Sequence, residues 1–355
     1  MPRGSTAGVP SDRTLPRLVL ASSSTRRRRG ILSFVRLIQR NPGASGTPAK
    51  GSLLAIAGLP TSELENLLAR AERLIPQAVG DEPPDGRPLQ GRTIANLFFE
   101  DSTRTRVSFE VAAKRLGADV VNLGAGGSSA SKGETLVDTA RNIEAMGVDV
   151  IVVRTSISGG ARLVAGSVGC PVINAGDGRH EHPTQALLDI LSLRLRLGSL
   201  NGRRIAIVGD IANSRVARST THALVALGAT VVVVGPPTLV PVGFELLATG
   251  PGNIEISFDL DGIIGHIDAI MMLRVQTERA ASTGIAPDYR SRFGLTSARA
   301  ARLAPEVPIL HPGPVNRGVE IDDEVADDPH RSVILAQVGC GVAARMSVLL
   351  RAASR

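Results

Sequence analysis

The stretch Phe98-Phe99-Glu100-Asp101-Ser102-Thr103-Arg104-Thr105-Arg106 concentrates anion-binding side chains at one point of the chain. An apolar strand pattern ends there and a helical pattern begins. Backbone N–H groups at a helix start have no intrahelical partner and favour an anion. The Ser and Thr hydroxyls add donors, and Arg104 adds a fixed charge whose fork matches phosphate. N-capping by Ser102 would account for one hydroxyl. It does not account for Ser-Thr-Arg-Thr-Arg directly after an apolar strand, so the segment reads as a phosphate cradle.

Other polar groups stand at comparable places. Lys132 follows a Gly/Ser-rich loop, Gly124–Gly133, and precedes a helix. There it can close over an anion; alone it would read as a solvated surface Lys. Arg154 ends the apolar run Val150–Val153, facing a ligand crevice or held in a structural ion pair. In His180-Glu181-His182-Pro183-Thr184-Gln185 the two His lack a third ligand at metal spacing, so no metal is called. His182, with Gln185 one turn on, can instead donate to a carbonyl oxygen. Val208-Gly209-Asp210 has a single Gly and lacks the Gly-x-Gly-x-x-Gly of a dinucleotide site. Arg215, in the turn that follows, can hold a carboxylate, and Arg274 after Met272-Leu273 can hold a second. Leu310-His311-Pro312-Gly313-Pro314 closes a strand in a rigid turn. Its prolines remove N–H donors and leave carbonyls to accept from an amide. There is no candidate Ser-His-Asp triad and no nucleophilic Cys motif, which points to positioning and charge stabilisation.

The elements that must carry these groups alternate. Strand patterns fall at Thr93–Phe99, Ala118–Leu123, Val148–Arg154, Arg204–Val208, Thr230–Val234, Ala269–Leu273 and Val307–Leu310. Helical patterns fall at Thr103–Leu116, Glu134–Met146, Pro183–Leu197, Ser214–Leu227 and the last twenty residues. Two such blocks predict two α/β domains with parallel sheets and ligands beyond the carboxyl ends of the strands. A core of Val, Leu, Ile and Ala suits buried parallel strands, and with one Tyr, no Trp and seven Phe among 355 residues the chain has little else to build from.

The net charge of +7 sits in one place. Residues 1–50 hold ten basic groups and one acid, Asp12, whereas the remaining 305 residues hold thirty basic and thirty-two acidic groups. The body therefore offers no basic face for nucleic acid. Residues 1–50, rich in Arg, Ser, Gly and Pro, read as a disordered extension, with a translation-start artefact or a targeting segment as the other readings. Cys170 and Cys340 stand far apart, as in a reduced cytoplasmic chain. No apolar run reaches the roughly 18 residues of a membrane span.

Taken together, Ser102–Arg106, Lys132-Gly133-Glu134, His182–Gln185, Arg274-Val275-Gln276 and His311–Pro314 resemble the aspartate carbamoyltransferase family over about residues 51–355. The resemblance implies a carbamoyl phosphate-binding domain at 51–185, completed by a C-terminal helix at 333–355, and an aspartate-binding domain at 186–332. By matching position, Ser102, Thr103, Arg104 and Thr105 would bind the phosphate. Arg154, His182 and Thr105 would hold the carbonyl oxygen. Gln185 and the carbonyls of Gly313 and Pro314 would hold the amino group, with Gly313–Pro314 cis. Arg215, Arg274 and Gln276 would bind the carboxylates of aspartate. Lys132, with Ser128 or Ser129, would reach into a neighbouring subunit's site in a homotrimer. Arg104, Thr105, Lys132, Arg154 and His182 would carry catalysis, in pyrimidine (UMP) biosynthesis, without a metal or organic cofactor. Regulatory chains or a dihydroorotase are possible partners; neither nucleic acid nor membrane is expected.

Some positions depart from the family. Asp101 stands where Pro or Ala is commoner and puts a negative charge beside the cradle. The stretch Ala280–Pro287 and the surroundings of Cys340 are also unusual. An ornithine carbamoyltransferase would carry His-Cys-Leu-Pro where this chain has His-Pro-Gly-Pro. An inactive scaffold for other pyrimidine enzymes is the remaining alternative, and the complete matched set argues against it.

Overall fold

A computed structural model describes residues 46–83, 85–124, 134–275 and 288–354. Residues 1–45 of the N-terminal extension, Lys132, Ser128, Ser129 and Gln276 lie outside the described residues.

Two parallel sheets carry the molecule. The first runs β2-β1-β3-β4, from β1 (Thr93–Phe98), β2 (Asp119–Gly124), β3 (Val150–Thr155) and β4 (Val172–Asp177). The second runs β7-β6-β5-β8-β9, from β5 (Arg204–Val208), β6 (Thr230–Val234), β7 (Asn253–Ser257), β8 (Ala269–Met272) and β9 (Ile309–Leu310). Every pairing within them is parallel. The inner strands are largely apolar because both faces are covered: β3 buries all but Arg154, and β6 all but Thr230.

The helices are α1 (Thr61–Arg73), α2 (Ile75–Val79), α3 (Thr103–Arg115), α4 (Leu136–Ala145), α5 (Gly160–Ala165), α6 (Pro183–Leu197), α7 (Arg215–Ala226) and α8 (Ile334–Ala353), besides shorter helical turns. Pro183 opens α6, where its missing N–H is not needed, and Gly198 follows the last turn with φ +70°. Residues Pro183–Leu193 of α6 are all buried, so the helix is internal on every side over that stretch, up to its last turn. It runs unbroken through residues 185 and 186 and packs on both α7 and α8.

The C-terminal helix α8 returns to the first sheet's layer and packs on α1, α2, α3 and α6, as the two-domain expectation required. By length and composition α8 is apolar enough to cross a bilayer, although more than half of its most apolar stretch is buried inside the protein. Its hydrophobicity is that of a core helix. Cys340 on α8 and Cys170 are both buried free thiols.

Strand order decides where the chemistry can go. In the first sheet the order reverses direction between β1 and β3, and in the second between β5 and β8. Ligands in open α/β sheets bind beyond the carboxyl ends at such switch points. The segment 99–104 leaves β1 there, and Arg154 is the penultimate residue of β3. Asp210–Arg215 leaves β5, and Leu273-Arg274 leaves β8.

Candidate active site

The cradle is built where β1 gives way to α3. Ser102 occupies the N-cap position, but its side chain makes no capping hydrogen bond. The first-turn N–H groups are therefore not claimed by that hydroxyl, and the capping reading loses its support. Thr105 is buried, and Ser108 is held inward, its hydroxyl donating 2.7 Å to the Arg104 carbonyl. Asp101 is exposed.

Arg104 reaches across to the His311–Pro314 turn. Gly313 has φ +65°, and a Cβ there would lie 2.9 Å from the Arg104 Cζ, so only Gly lets the guanidinium come this close. The Gly313–Pro314 peptide is cis, as expected. Burial lowers the Arg104 pKa, and the charge of Arg274 lowers it further, which sets these two guanidiniums near each other. The turn itself is braced from within. Gly313 N–H donates 2.8 Å to His311 Nδ1, so His311 Nε2 carries the proton and donates 3.1 Å to Glu320. Glu320 also accepts the Asn316 N–H, and Asn316 Nδ2 donates 2.7 Å to the carbonyl of Val275, next to Arg274.

Glu100 joins the two sheets' ends. Its Oε1 accepts from Arg215 at 2.7 Å and from Arg154 at 3.2 Å, and its Oε2 accepts from Arg215 at 2.9 Å. The Arg215 contact is a bidentate fork. Burial alone would raise the Glu100 pKa. The Arg215 hydrogen bond and the charge of Arg154 outweigh it, so the carboxyl is held below its usual range. Arg154 is pushed down to about 10, by burial first and by the Arg215 charge next, and stays cationic at neutral pH. Its Nη1 also donates 3.2 Å to the Ala175 carbonyl. Gly176, at φ +115°, lies under both guanidiniums; a Cβ there would meet Arg154 and Arg215 at 3.1 Å.

His182 and Gln185 come from the first turn of α6. His182 is buried, its backbone N–H donating 2.8 Å to the Ser219 hydroxyl, and its Nδ1 has no partner among the described residues. Burial, then the charges of Arg154, Arg215 and Arg345, hold its pKa well below the ordinary value. It is a neutral imidazole at pH 7. His180 points elsewhere, with Nδ1 3.1 Å from Asp177. Gln185 donates 2.9 Å to Asp189, one turn further along α6.

The structure thus brings together Ser102, Thr103, Arg104 and Thr105 on one element. It sets Arg104 on the Gly313 turn, Arg154 with Arg215 through Glu100, and His182 within the field of both arginines. Lys132 and Gln276 lie outside the described residues. A cavity of about 710 Å³ lined by Lys50, Arg70, Arg162 and Arg351 includes none of these residues. Glu100, Glu320, Asp189 and Gln337 had no assigned role in the sequence reading. Only Glu100 gave a signal, as an acid between an apolar strand and the cradle.

Comparison with known proteins decides what kind of site this is. Residues 52–195 match the family described as aspartate/ornithine carbamoyltransferase, carbamoyl-P binding domain, and residues 201–352 match its Asp/Orn binding domain. The chain belongs to this carbamoyltransferase family. The aspartate carbamoyltransferase catalytic subunit of Myxococcus xanthus is 53% identical over 299 residues, which cover 84% of this chain and 97% of that one. Among solved structures, aspartate transcarbamoylase from Trypanosoma cruzi in complex with N-(phosphonacetyl)-L-aspartic acid is similar with TM-score 0.77 at 30% identity, covering 88% of this chain and 99% of that one. Ornithine carbamoyltransferase from Pyrococcus furiosus is similar with TM-score 0.75 at 30% identity, covering 85% and 97%. The carbamoyltransferase fold is common to both acceptor types, so the backbone does not choose between them.

Proposed function

We propose that this chain transfers the carbamoyl group of carbamoyl phosphate to the α-amine of L-aspartate, giving N-carbamoyl-L-aspartate and phosphate. The observation that carries the reading is the open start of α3, with Ser102 not capping it and Arg104 laid on the Gly313 turn. The acceptor follows from the curated relatives, among them aspartate carbamoyltransferase catalytic subunits at 50% identity and above. A site lined by Arg104, Arg154, Arg215 and Arg274 also suits an anionic acceptor rather than a cationic one.

In this mechanism the first turn of α3 and Arg104 hold the phosphate. Arg154, Thr105 and neutral His182 donate to the carbonyl oxygen, where negative charge develops. His182 serves as a hydrogen-bond donor that keeps its proton, since a depressed pKa makes it a poor site for a second one. Gln185 and the Gly313 and Pro314 carbonyls accept from the carbamoyl amine. Arg215, Arg274 and Gln276 bind the aspartate carboxylates. The neutral α-amine attacks the carbamoyl carbon, the N–C bond forms, the C–O bond to phosphate breaks, and the amine's proton leaves with the phosphate. Holding both reactants face to face supplies much of the acceleration. Residues 51–185 with the C-terminal helix act as the carbamoyl phosphate domain and 186–332 as the aspartate domain. The working unit is a cytoplasmic homotrimer of pyrimidine biosynthesis, in which Lys132 completes a neighbour's site.

The test is carbamoyl transfer from carbamoyl phosphate with L-aspartate or L-ornithine as acceptor. Product with aspartate alone is expected. Product with neither, or with ornithine, overturns the reading.

A further inference from the structure

We propose that Asp189 is a positioning residue that sets the hydrogen-bond polarity of the carbamoyl-amine pocket, by holding the Gln185 amide with its oxygen toward the pocket and, through Gln337, anchoring the turn that carries Gly313 and Pro314. The inference rests on the reading of Gln185 and the Gly313 and Pro314 carbonyls as the groups that meet the carbamoyl amine.

Asp189 is fully buried on α6. Its Oδ1 accepts from Gln185 Nε2 at 2.9 Å and from Gln337 Nε2 of α8 at 2.7 Å. Its Oδ2 accepts from the Thr220 hydroxyl of α7 at 3.0 Å. Gln337 Oε1 accepts the His311 backbone N–H at 3.0 Å. One carboxylate thus ties three helices to the turn that carries Gly313 and Pro314.

The orientation of each amide follows from which neighbours can only donate. The His311 N–H is a donor, so Gln337 must present Oε1 to it and Nε2 to Asp189. Asp189 Oδ1 therefore accepts, and the Gln185 amide meets it through Nε2. A planar amide anchored by its nitrogen points its oxygen the other way. Gln185 then offers an acceptor to a ligand NH₂ group, and the His311–Pro314 turn is fixed by an N–H bond on its far side. Both effects favour a ligand that donates. An amide turned the other way would offer a donor to a donor, and a buried mismatch of that kind is costly.

A proton on Asp189 would not undo this. Oδ1 carries both amides, while Oδ2 meets only Thr220, whose hydroxyl can accept as well as donate. An Asn at 189 can reproduce the same pattern, with its oxygen toward the two amides and its nitrogen toward Thr220. A Leu of similar size cannot.

Acetyl phosphate is the probe, because it replaces the carbamoyl NH₂ by a methyl group and keeps the phosphate and carbonyl. The quantity measured is the ratio of its inhibition constant to the carbamoyl phosphate KM, with folding checked by circular dichroism and thermal unfolding. Asp189→Leu is expected to lower the ratio by about tenfold, through loss of one well-placed hydrogen bond. Asp189→Asn is expected to restore it to within about threefold of wild type. Should Asp189→Leu not fold, Gln337→Met carries the test, with a smaller fall expected because Gln185 keeps its anchor. An unchanged ratio in a folded Asp189→Leu protein, or in Gln337→Met where that variant stands in, overturns the inference and leaves the transferase reading intact. Equal losses in Leu and Asn variants also overturn it, since charge rather than polarity would then matter. A wild-type protein that transfers the carbamoyl group yet binds the two phosphates equally overturns the pocket assignment, and the inference with it.

Discussion

Two carboxylates touch residues of the candidate site, Asp189 through Gln185 and Glu100 through Arg154 and Arg215, and their surroundings shift them in opposite directions. Asp189 is sealed among three neutral donors with the buried Arg345 guanidinium acting on it, and burial pushes it up to about 7 despite the three hydrogen bonds and that charge. Glu100 is a third exposed and forked by Arg215, with Arg154 beside it, and these hold it low although burial works against them. The first arrangement is a fixed frame. Its hydrogen-bond partners are buried neutral groups on three packed helices. The second is a brace between charged groups at the mouths of two sheets, where an incoming anion can compete for the same guanidiniums. The donor half of the site is therefore set by packing, and the acceptor half by a balance of charges.

The comparison breaks first at Arg104. It belongs to the donor half but is a charge rather than a packed amide, and among the described residues its guanidinium atoms are the nearest to a Cβ placed on Gly313. Arg104→Ala is expected to lower kcat/KM for carbamoyl phosphate by about a thousandfold, the scale for losing a charged donor to a developing anion, while the fold persists. Steady-state kinetics with a thermal melt check both halves of that statement, and a loss under tenfold would remove Arg104 from the cradle.

A smaller effect is expected at Glu100. Its Oε1 accepts from both Arg154 and Arg215, so it acts as a brace more than as a competitor. Glu100→Gln leaves the two guanidiniums to repel with only a neutral amide between them. The aspartate KM should rise about tenfold, as expected for a weakened charge-assisted pair, with the carbamoyl phosphate KM changed little. A fall in the aspartate KM would mean that Glu100 competes with substrate for Arg215, and the picture of a brace would be abandoned.

Much of this was legible in the sequence, for a physical reason. Strands buried on both faces are mostly apolar, so Arg204–Val208 and Thr230–Val234 have the bounds their apolar runs suggest. The helix Pro183–Leu197 is likewise bounded by its own Pro and Gly. Charged residues that interrupt such patterns at strand ends are conspicuous, which is why Arg154 and Arg274 could be singled out. The strand Val172–Asp177 was not foreseen, because Asn174 and Gly176 break its apolar run. Helix Thr61–Arg73 was not among the expected elements either, although Leu64, Leu67, Leu68 and Ala71 recur at helical spacing. The carboxylate network was illegible for a different reason. Gln337 and Asp189 are 148 positions apart, and nothing in either residue's local pattern points to the other. A polar residue inside an apolar helix signals only that a partner exists.

The smallest effect is one of stability, and it contrasts the two carboxylates directly. Asp189 moves from 3.8 to about 7 on folding, so between about pH 4 and 7 the folded state holds more protons than the unfolded one. Its contribution therefore falls as pH rises across that window. Glu100, held low, contributes in the other sense: its stabilisation is present above the unfolded value near 4.5 and is lost as pH falls through the lower folded value. Neutral His182 also costs stability as pH falls below 6.5, because folding resists its protonation. His182 and Glu100 are common to the wild type and Asp189→Asn, so the difference between those two proteins isolates Asp189. Denaturant midpoints at pH 5 and pH 7.5 should show Asp189→Asn gaining on wild type at the higher pH, by about 1 kcal/mol or more. A constant difference between the two proteins across that range would mean that Asp189 does not titrate there, and that its three donors and the Arg345 charge outweigh its burial.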